Sequence, residues 1–286
     1  MASLSTDRPF PGRRSDRNRR FVIGLARAFA GALIFALPML MTMEMWHLGF
    51  YMDPLRLILL LILLIPLLTG LSYFTGFEET SRLRDDIVDA FVAFAVGCVA
   101  SAAILAIFGI LTIGMPLYEI VGKVALQAVP ASVGAMLARS QLGRQEHGEH
   151  EERKEHPSYG GELFLMSVGA LFLSLNVAPT EEMILIAYKM APWQEITLAA
   201  LSLLLMHAFV YAVDFRGRPE LPDTATFWSL FLRFTVVGYG CVLIISLYLL
   251  WSFGRTAGTS PEEILSAAVV LGFPGAIGAA AARLIL

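Results

Sequence analysis

Gly31–Met45 reads GALIFALPMLMTMEM, and Gly169–Met183 reads GALFLSLNVAPTEEM. The two stretches lie 138 residues apart (169 − 31 and 183 − 45). They share Gly, Ala, two Leu, Thr, Glu and Met at matching places, so that Thr42-x-Glu44-Met45 answers Thr180-x-Glu182-Met183. A self-match at fixed spacing is the mark of a repeated structural unit. Each copy is an apolar run that closes on a carboxylate, which a helix needing only to be greasy does not require.

Outward from this stretch the match continues. Met52, Pro54, Tyr73 and Phe77 recur 138 residues on as Met190, Pro192, Tyr211 and Phe215. The offset then grows to 143, and Phe91, Gly97, Cys98 and Val99 recur as Phe234, Gly240, Cys241 and Val242. At offset 144, Glu119-Ile120, Pro130, Gly134-Ala135 and Ala138-Arg139 recur as Glu263-Ile264, Pro274, Gly278-Ala279 and Ala282-Arg283. Five extra residues between Phe215 and Thr226 account for the first change.

The composition says what kind of unit is repeated. Of 286 residues, 57% are hydrophobic and 16% charged, and the mean hydropathy is +0.68. Soluble domains carry about a quarter charged residues. Repeated apolar runs of span length mark a polytopic membrane protein, and such runs are helical because a lipid-exposed segment must satisfy its own backbone hydrogen bonds. Cys98 and Cys241 both fall inside apolar runs and read as small buried hydrophobes. No nucleic-acid partner is expected; the lipid bilayer and a small cation or proton are.

The expected fold is therefore all-α, a polytopic membrane protein of eight transmembrane helices built as two tandem parallel four-helix repeats. Residues 1–20 read as a disordered basic cytoplasmic tail, 21–139 as the first four-helix repeat, 140–159 as a charged cytoplasmic linker and 160–286 as the second four-helix repeat. The eight helices are expected at about Phe21–Glu44, Pro54–Phe77, Asp86–Leu111, Pro116–Arg139, Gly161–Glu182, Pro192–Phe215, Thr226–Phe253 and Pro261–Leu284. Arginines and lysines collect in the tail, the 2–3 loop (Arg82, Arg84), the linker (Arg144, Arg153, Lys154) and the 6–7 loop (Arg216, Arg218). The positive-inside rule puts these segments and both termini in the cytoplasm. An even number of helices per repeat makes the halves parallel, related by an axis along the membrane normal. Small residues at four-residue spacing, such as Gly134/Ala138 and Gly278/Ala282, let helix backbones approach closely. They serve packing inside the bundle or a homo-oligomer interface.

Two such halves, with LPMLMTMEMW (Leu37–Trp46) closing the first helix, resemble a family of bacterial integral membrane proteins with no assigned function. The resemblance covers nearly the whole chain from Phe21 and implies a bacterial inner-membrane location. It assigns no residue a role.

Ionisable residues inside a membrane are the first functional candidates. Glu44, Glu182, Glu119 and Glu263 are expected toward the outer ends of their helices, where a ring of carboxylates would concentrate cations. Glu119 and Glu263 fall in first turns, where the helix dipole favours an anion. Glu44 and Glu182 are expected at C-terminal ends, where it does not, with Thr42 and Thr180 on the adjoining turn. His207, Tyr211 and Asp214 fall on one helix face and form either a proton relay or a hydrogen-bonded packing seam. Lys123 stands one turn from Glu119, as expected of an ion pair, and Lys123 and Gln127 have no copies in the second half. Arg233 is expected to need a partner, with Asp89 of the other half, or Asp214 of the neighbouring helix, supplying a structural ion pair. Met39, Met41, Met43 and Met45 could hold Cu(I) but read better as flexible apolar filler. His147, His150 and His156 belong to a solvated tether.

The reading that follows is a channel or transporter for a small cation or protons, with the glutamates near the pseudo-two-fold axis. No cofactor is expected and no enzymatic motif is present; the identity of any bound metal is left open. The competing reading is a non-transporting scaffold or sensor acting through its tail and linker.

Overall fold

The computed structural model describes residues 12–75, 83–143, 158–214, 228 and 231–285. Every regular element among them is helical. The elements are α1 (Gly12–Leu40), α2 (Met43–Tyr51), α3 (Pro54–Thr75), α4 (Leu83–Ile107), α5 (Leu117–Gly143), α6 (Tyr159–Val177), α7 (Glu181–Lys189), α8 (Pro192–Asp214), a π-helical turn (Phe231–Val236) running into α9 (Val237–Ser252), and α10 (Pro261–Ile285). Seven helices among the described residues are long and apolar enough to cross a membrane: α1, α3, α4, α5, α6, the π turn with α9, and α10.

Local chemistry sets the starts of the long helices. Asp53 accepts from the backbone N–H groups of Leu55 (2.8 Å) and Arg56 (3.3 Å), and Pro54 supplies a first helical residue with no N–H to leave unpaired. Before α10, Ser260 and Glu263 cap each other: Ser260 N–H donates to Glu263 Oε2 (3.0 Å) and Glu263 N–H to Ser260 Oγ (3.3 Å). Before α8, Gln194 Oε1 accepts from Ala191 N–H at 2.8 Å.

The last helix of each half is the hub of its packing. α5 lies against α1, α2, α3 and α4, and α10 against α6, α7, α8 and α9. Glycines make the closest crossings possible. A Cβ on Gly31 would collide with Gly134 O and Ala138 Cβ, and one on Gly169 with Gly278 O and Ala282 Cβ. Gly49 and Gly122 do the same between α2 and α5. These small-residue faces are thus spent on packing inside the bundle. The halves meet where α3 touches α6 and α9 and where α5 touches α6, with Phe74 on Phe164 (5.4 Å) and Phe35 on Phe172 (5.2 Å).

Three expectations change. The first and fifth apolar runs do not continue to Glu44 and Glu182: α1 stops at Leu40 and α6 at Val177, and each is followed by a separate nine-residue helix. The basic segment is helical from Gly12, because α1 extends through Arg20 where composition suggested disorder. The stretch leading into α9 opens with a π turn rather than a regular helix.

Candidate functional site

The two helix breaks lie at one end of the bundle. α2 begins after Thr42 and α7 after Thr180, both in extended backbone conformation. The threonine hydroxyls turn back to the preceding helix, Thr42 Oγ1 donating to Pro38 O (2.6 Å) and Thr180 Oγ1 to Val177 O (2.8 Å). Glu44 and Glu182 therefore occupy the first turns of short helices. This reverses the electrostatic expectation: at a helix N-terminus the dipole favours the carboxylate.

The carbonyls released at the first break are taken by the protein itself. Met39 O accepts from Thr42 N–H (3.1 Å) and from Nε2 of the wholly buried Gln127 (3.0 Å). Leu40 O accepts from the Trp46 indole at 2.8 Å. At the second break, Arg255 Nη2 donates to Pro179 O. The two breaks are thus closed by different side chains, Gln127 and Trp46 in one half and Arg255 in the other. Met39 and Met45 are fully buried while Met41 and Met43 are exposed, so the break divides the methionine run between core and surface.

Glu44 is half-buried and Glu182 exposed. α2 packs on α1 and α5, and α7 packs on α10. Glu119 and Glu263 stand in the first turns of α5 and α10. Glu119 Oε1 pairs with Lys123 Nζ at 2.6 Å, and Glu263 belongs to the Ser260 cap. Around these groups, residues 41–56, 108–123, 178–197 and 251–266 carry eight carboxylates and four Lys or Arg, a net charge of −4 (4 − 8). Three of those four cations are engaged: Lys123 on Glu119, Arg255 on Pro179 O, and Arg56, whose guanidinium donates to Trp251 O (2.6 Å) and lies 4.8 Å over its ring. The end that holds both breaks is acidic.

Toward the other end, His207 is buried with Nδ1 2.9 Å from Thr235 Oγ1 and its ring edge-on to Phe231. Thr235, wholly buried in the π turn, is a partner that sequence periodicity missed, since an i→i+5 turn shifts the face on which a residue emerges. The Tyr211 and Asp214 side chains lie outside the described residues, as do linker residues His147, His150 and His156. The π turn also gives Arg233 a setting. Its carbonyl accepts from the Tyr159 hydroxyl (2.7 Å), and its guanidinium sits 5.0 Å over the Tyr159 ring. Asp89 is half-buried on α4. A second missed residue is Asp86, almost fully buried at the start of α4, with Oδ1 accepting from Ser72 Oγ at 3.0 Å. Both halves thus place a buried titratable group against a hydroxyl: Asp86 with Ser72 between α3 and α4, His207 with Thr235 between α8 and the π turn. Among the described residues no three His, Cys, Asp or Glu cluster as metal ligands.

The chain belongs to the family described as "Putative integral membrane protein (DUF2391)", whose model matches residues 24–286. No curated protein and no solved structure matches it.

Proposed function

We propose that this integral membrane protein is a channel or transporter passing a small cation or protons between its two ends. The observation that carries the reading is the acidic end, where eight carboxylates face four cations and three of the cations are already bound. Such a surplus raises the local cation concentration at the mouth of any pathway. Glu44 and Glu182 are its central groups, each held at a helix N-terminus beside Thr42 or Thr180. The buried pairs Asp86–Ser72 and His207–Thr235 lie deeper, where an ionisable side chain marks an ion or proton route by default. The glutamates form a vestibule divided between the halves rather than one shared intramembrane pocket.

The proposal includes the arrangement in the membrane. α8 is the eighth span, the halves are tandem parallel repeats, and the basic segments with both termini face the cytoplasm of a bacterial inner membrane. An impermeant thiol reagent applied outside intact cells then labels Gly114→Cys and Gly258→Cys and leaves Glu149→Cys unlabelled. For the activity, purified protein in liposomes is expected to dissipate an imposed proton, sodium or potassium gradient. Liposomes tight to every cation, together with a cytoplasmic protein captured through the tail or linker, would instead make it a scaffold.

A further inference from the structure

The loop joining α4 to α5, at the end that holds both breaks, carries the most exposed large apolar side chain among the described residues, Ile113. No charged residue stands between Asp89 and Glu119. From Asp89 to the end of α4 at Ile107 the helix rises about 27 Å, close to the thickness of a bilayer's hydrocarbon core. The loop therefore emerges at the boundary between acyl chains and headgroups, not clear of it. Leu117, Tyr118 and Val121 are exposed where α5 begins. α2 extends the patch with Phe50 and Tyr51, also exposed, and the Phe50 ring lies 6.2 Å from that of Tyr118. Met115 turns the other way, its sulfur 4.0 Å from Lys123 Nζ. The loop thus has an inner side on the Glu119–Lys123 pair and an outer side made of Ile113 and its neighbours. It also bonds to itself: Ile110 N–H donates to Leu105 O (2.9 Å) and Met115 N–H to Thr112 O (3.2 Å), as backbone at a lipid boundary requires.

The corresponding loop of the second half keeps the turn and changes the chemistry. Gly114 and Gly258 stand 144 residues apart, both with positive φ (93° and 77°). Around them, Leu111, Ile113, Leu117 and Tyr118 are answered by Arg255, Ala257, Pro261 and Glu262. The contrast is confined to this loop, since the second half exposes apolar residues close by, Tyr188 on α7 and Trp193 at the start of α8. Because the same turn accepts a polar set, its shape does not call for the apolar one.

We propose that the outer side of the α4–α5 loop docks in the lipid bilayer. Ile113 and Leu117 enter the acyl boundary of the leaflet at this end, and Tyr51 and Tyr118 sit at headgroup level. A contiguous apolar patch of this kind marks a binding surface, and three features choose lipid over protein. The patch runs on into Leu117 and Val121, one turn apart on the span Leu117–Ala138, whose exposed face already meets lipid. Tyrosines favour the membrane interface. From Phe108 to Tyr118 only Thr112 and Tyr118 carry a side-chain hydroxyl and none carries a charge or an amide, which leaves little to orient a protein partner. The second-half loop, with Arg255 and Glu262, stays in water. Because Met115 rests on Lys123, the bilayer holds the first-half loop down over the Glu119–Lys123 pair. The docking rests neither on the transport reading nor on which end faces the cytoplasm.

Quenching of a label on each loop tests the docking. Ile113→Cys and Ala257→Cys, each in a Cys98→Ala/Cys241→Ala background, carry a nitrobenzoxadiazole label in phosphatidylethanolamine–phosphatidylglycerol liposomes. Phospholipid with a nitroxide high on its acyl chain is expected to quench the label at Ile113 several-fold more than that at Ala257, and iodide several-fold less. A label at Ile113 as open to iodide as that at Ala257 would put the loop in water and overturn the proposal. Shielding from iodide and lipid alike would mean that protein covers the loop, and equal lipid quenching at both sites that the turn's shape sets its depth; either result overturns it too. Should the cysteine variants not fold, wild-type protein is irradiated in liposomes holding a phospholipid with a diazirine beside its carbonyl. Crosslinks are expected within residues 108–118 and not within 252–262, and any other pattern overturns the docking. At headgroup depth the turn still meets water, so Gly114→Cys should react with the impermeant thiol reagent, but several-fold more slowly than Gly258→Cys.

Discussion

The two halves share a frame and differ in what they bury. Both have a long helix that stops before Thr42 or Thr180, a nine-residue helix with an acid in its first turn, and a glycine crossing onto a final hub helix. Inside that frame the first half places a charged line on α5, Glu119–Lys123–Gln127, and uses its inner end to tie off Met39 O. The second half has Glu263, Ala267 and Leu271 at those places and closes its break from the loop after α9 with Arg255. Backbone contacts tolerate little change because two chains touch there. Side chains that only seal or line a break are free to diverge.

The largest expected effect tests the shared frame. Gly31→Leu and Gly169→Leu each force a backbone crossing apart and should cost roughly 3 kcal/mol or more, seen as lost folded yield. The two should fail alike; a tolerated Gly169→Leu would show that the second crossing is not equivalent to the first. Next comes the charged line. Lys123→Ala gives the first half the residue of the second and strands a mostly buried carboxylate, at about 2 kcal/mol. Adding Glu119→Gln should recover much of it. Glu263→Gln, which disturbs only a cap, should cost about 1 kcal/mol, and an equal loss at both sites would erase the contrast. A smaller effect belongs to Arg56, the link from α3 to the end of α9. Arg56→Gln copies Gln194 and removes one charged hydrogen bond with its ring contact, about 1 kcal/mol in unfolding by denaturant. No change would make the halves independent at this end.

Much of this frame was legible beforehand because it is written in many residues at once. Pro54 and Pro192 recur 138 residues apart and Gly134 and Gly278 144 apart, whatever the helices do locally. The breaks were misread for the opposite reason. No charged residue stands between Ala28 and Met43, and a turn of two residues inside that run leaves no charged gap. A signal was present: Thr42-Met43-Glu44 and Thr180-Glu181-Glu182 each put a capping residue before a first-turn acid. The Lys123–Glu119 pair was readable from i,i+4 spacing, whereas Ser72–Asp86, His207–Thr235 and Arg56–Trp251 join helices whose register no local pattern gives.

The central claim, that cations enter through the divided acidic mouth, is tested most directly by flux through Glu44→Gln/Glu182→Gln in liposomes. Each change removes charge and keeps shape, so folding should be retained. The account predicts that either single variant slows cation or proton flux and that the double variant nearly abolishes it. Wild-type flux in a well-folded double variant would contradict it.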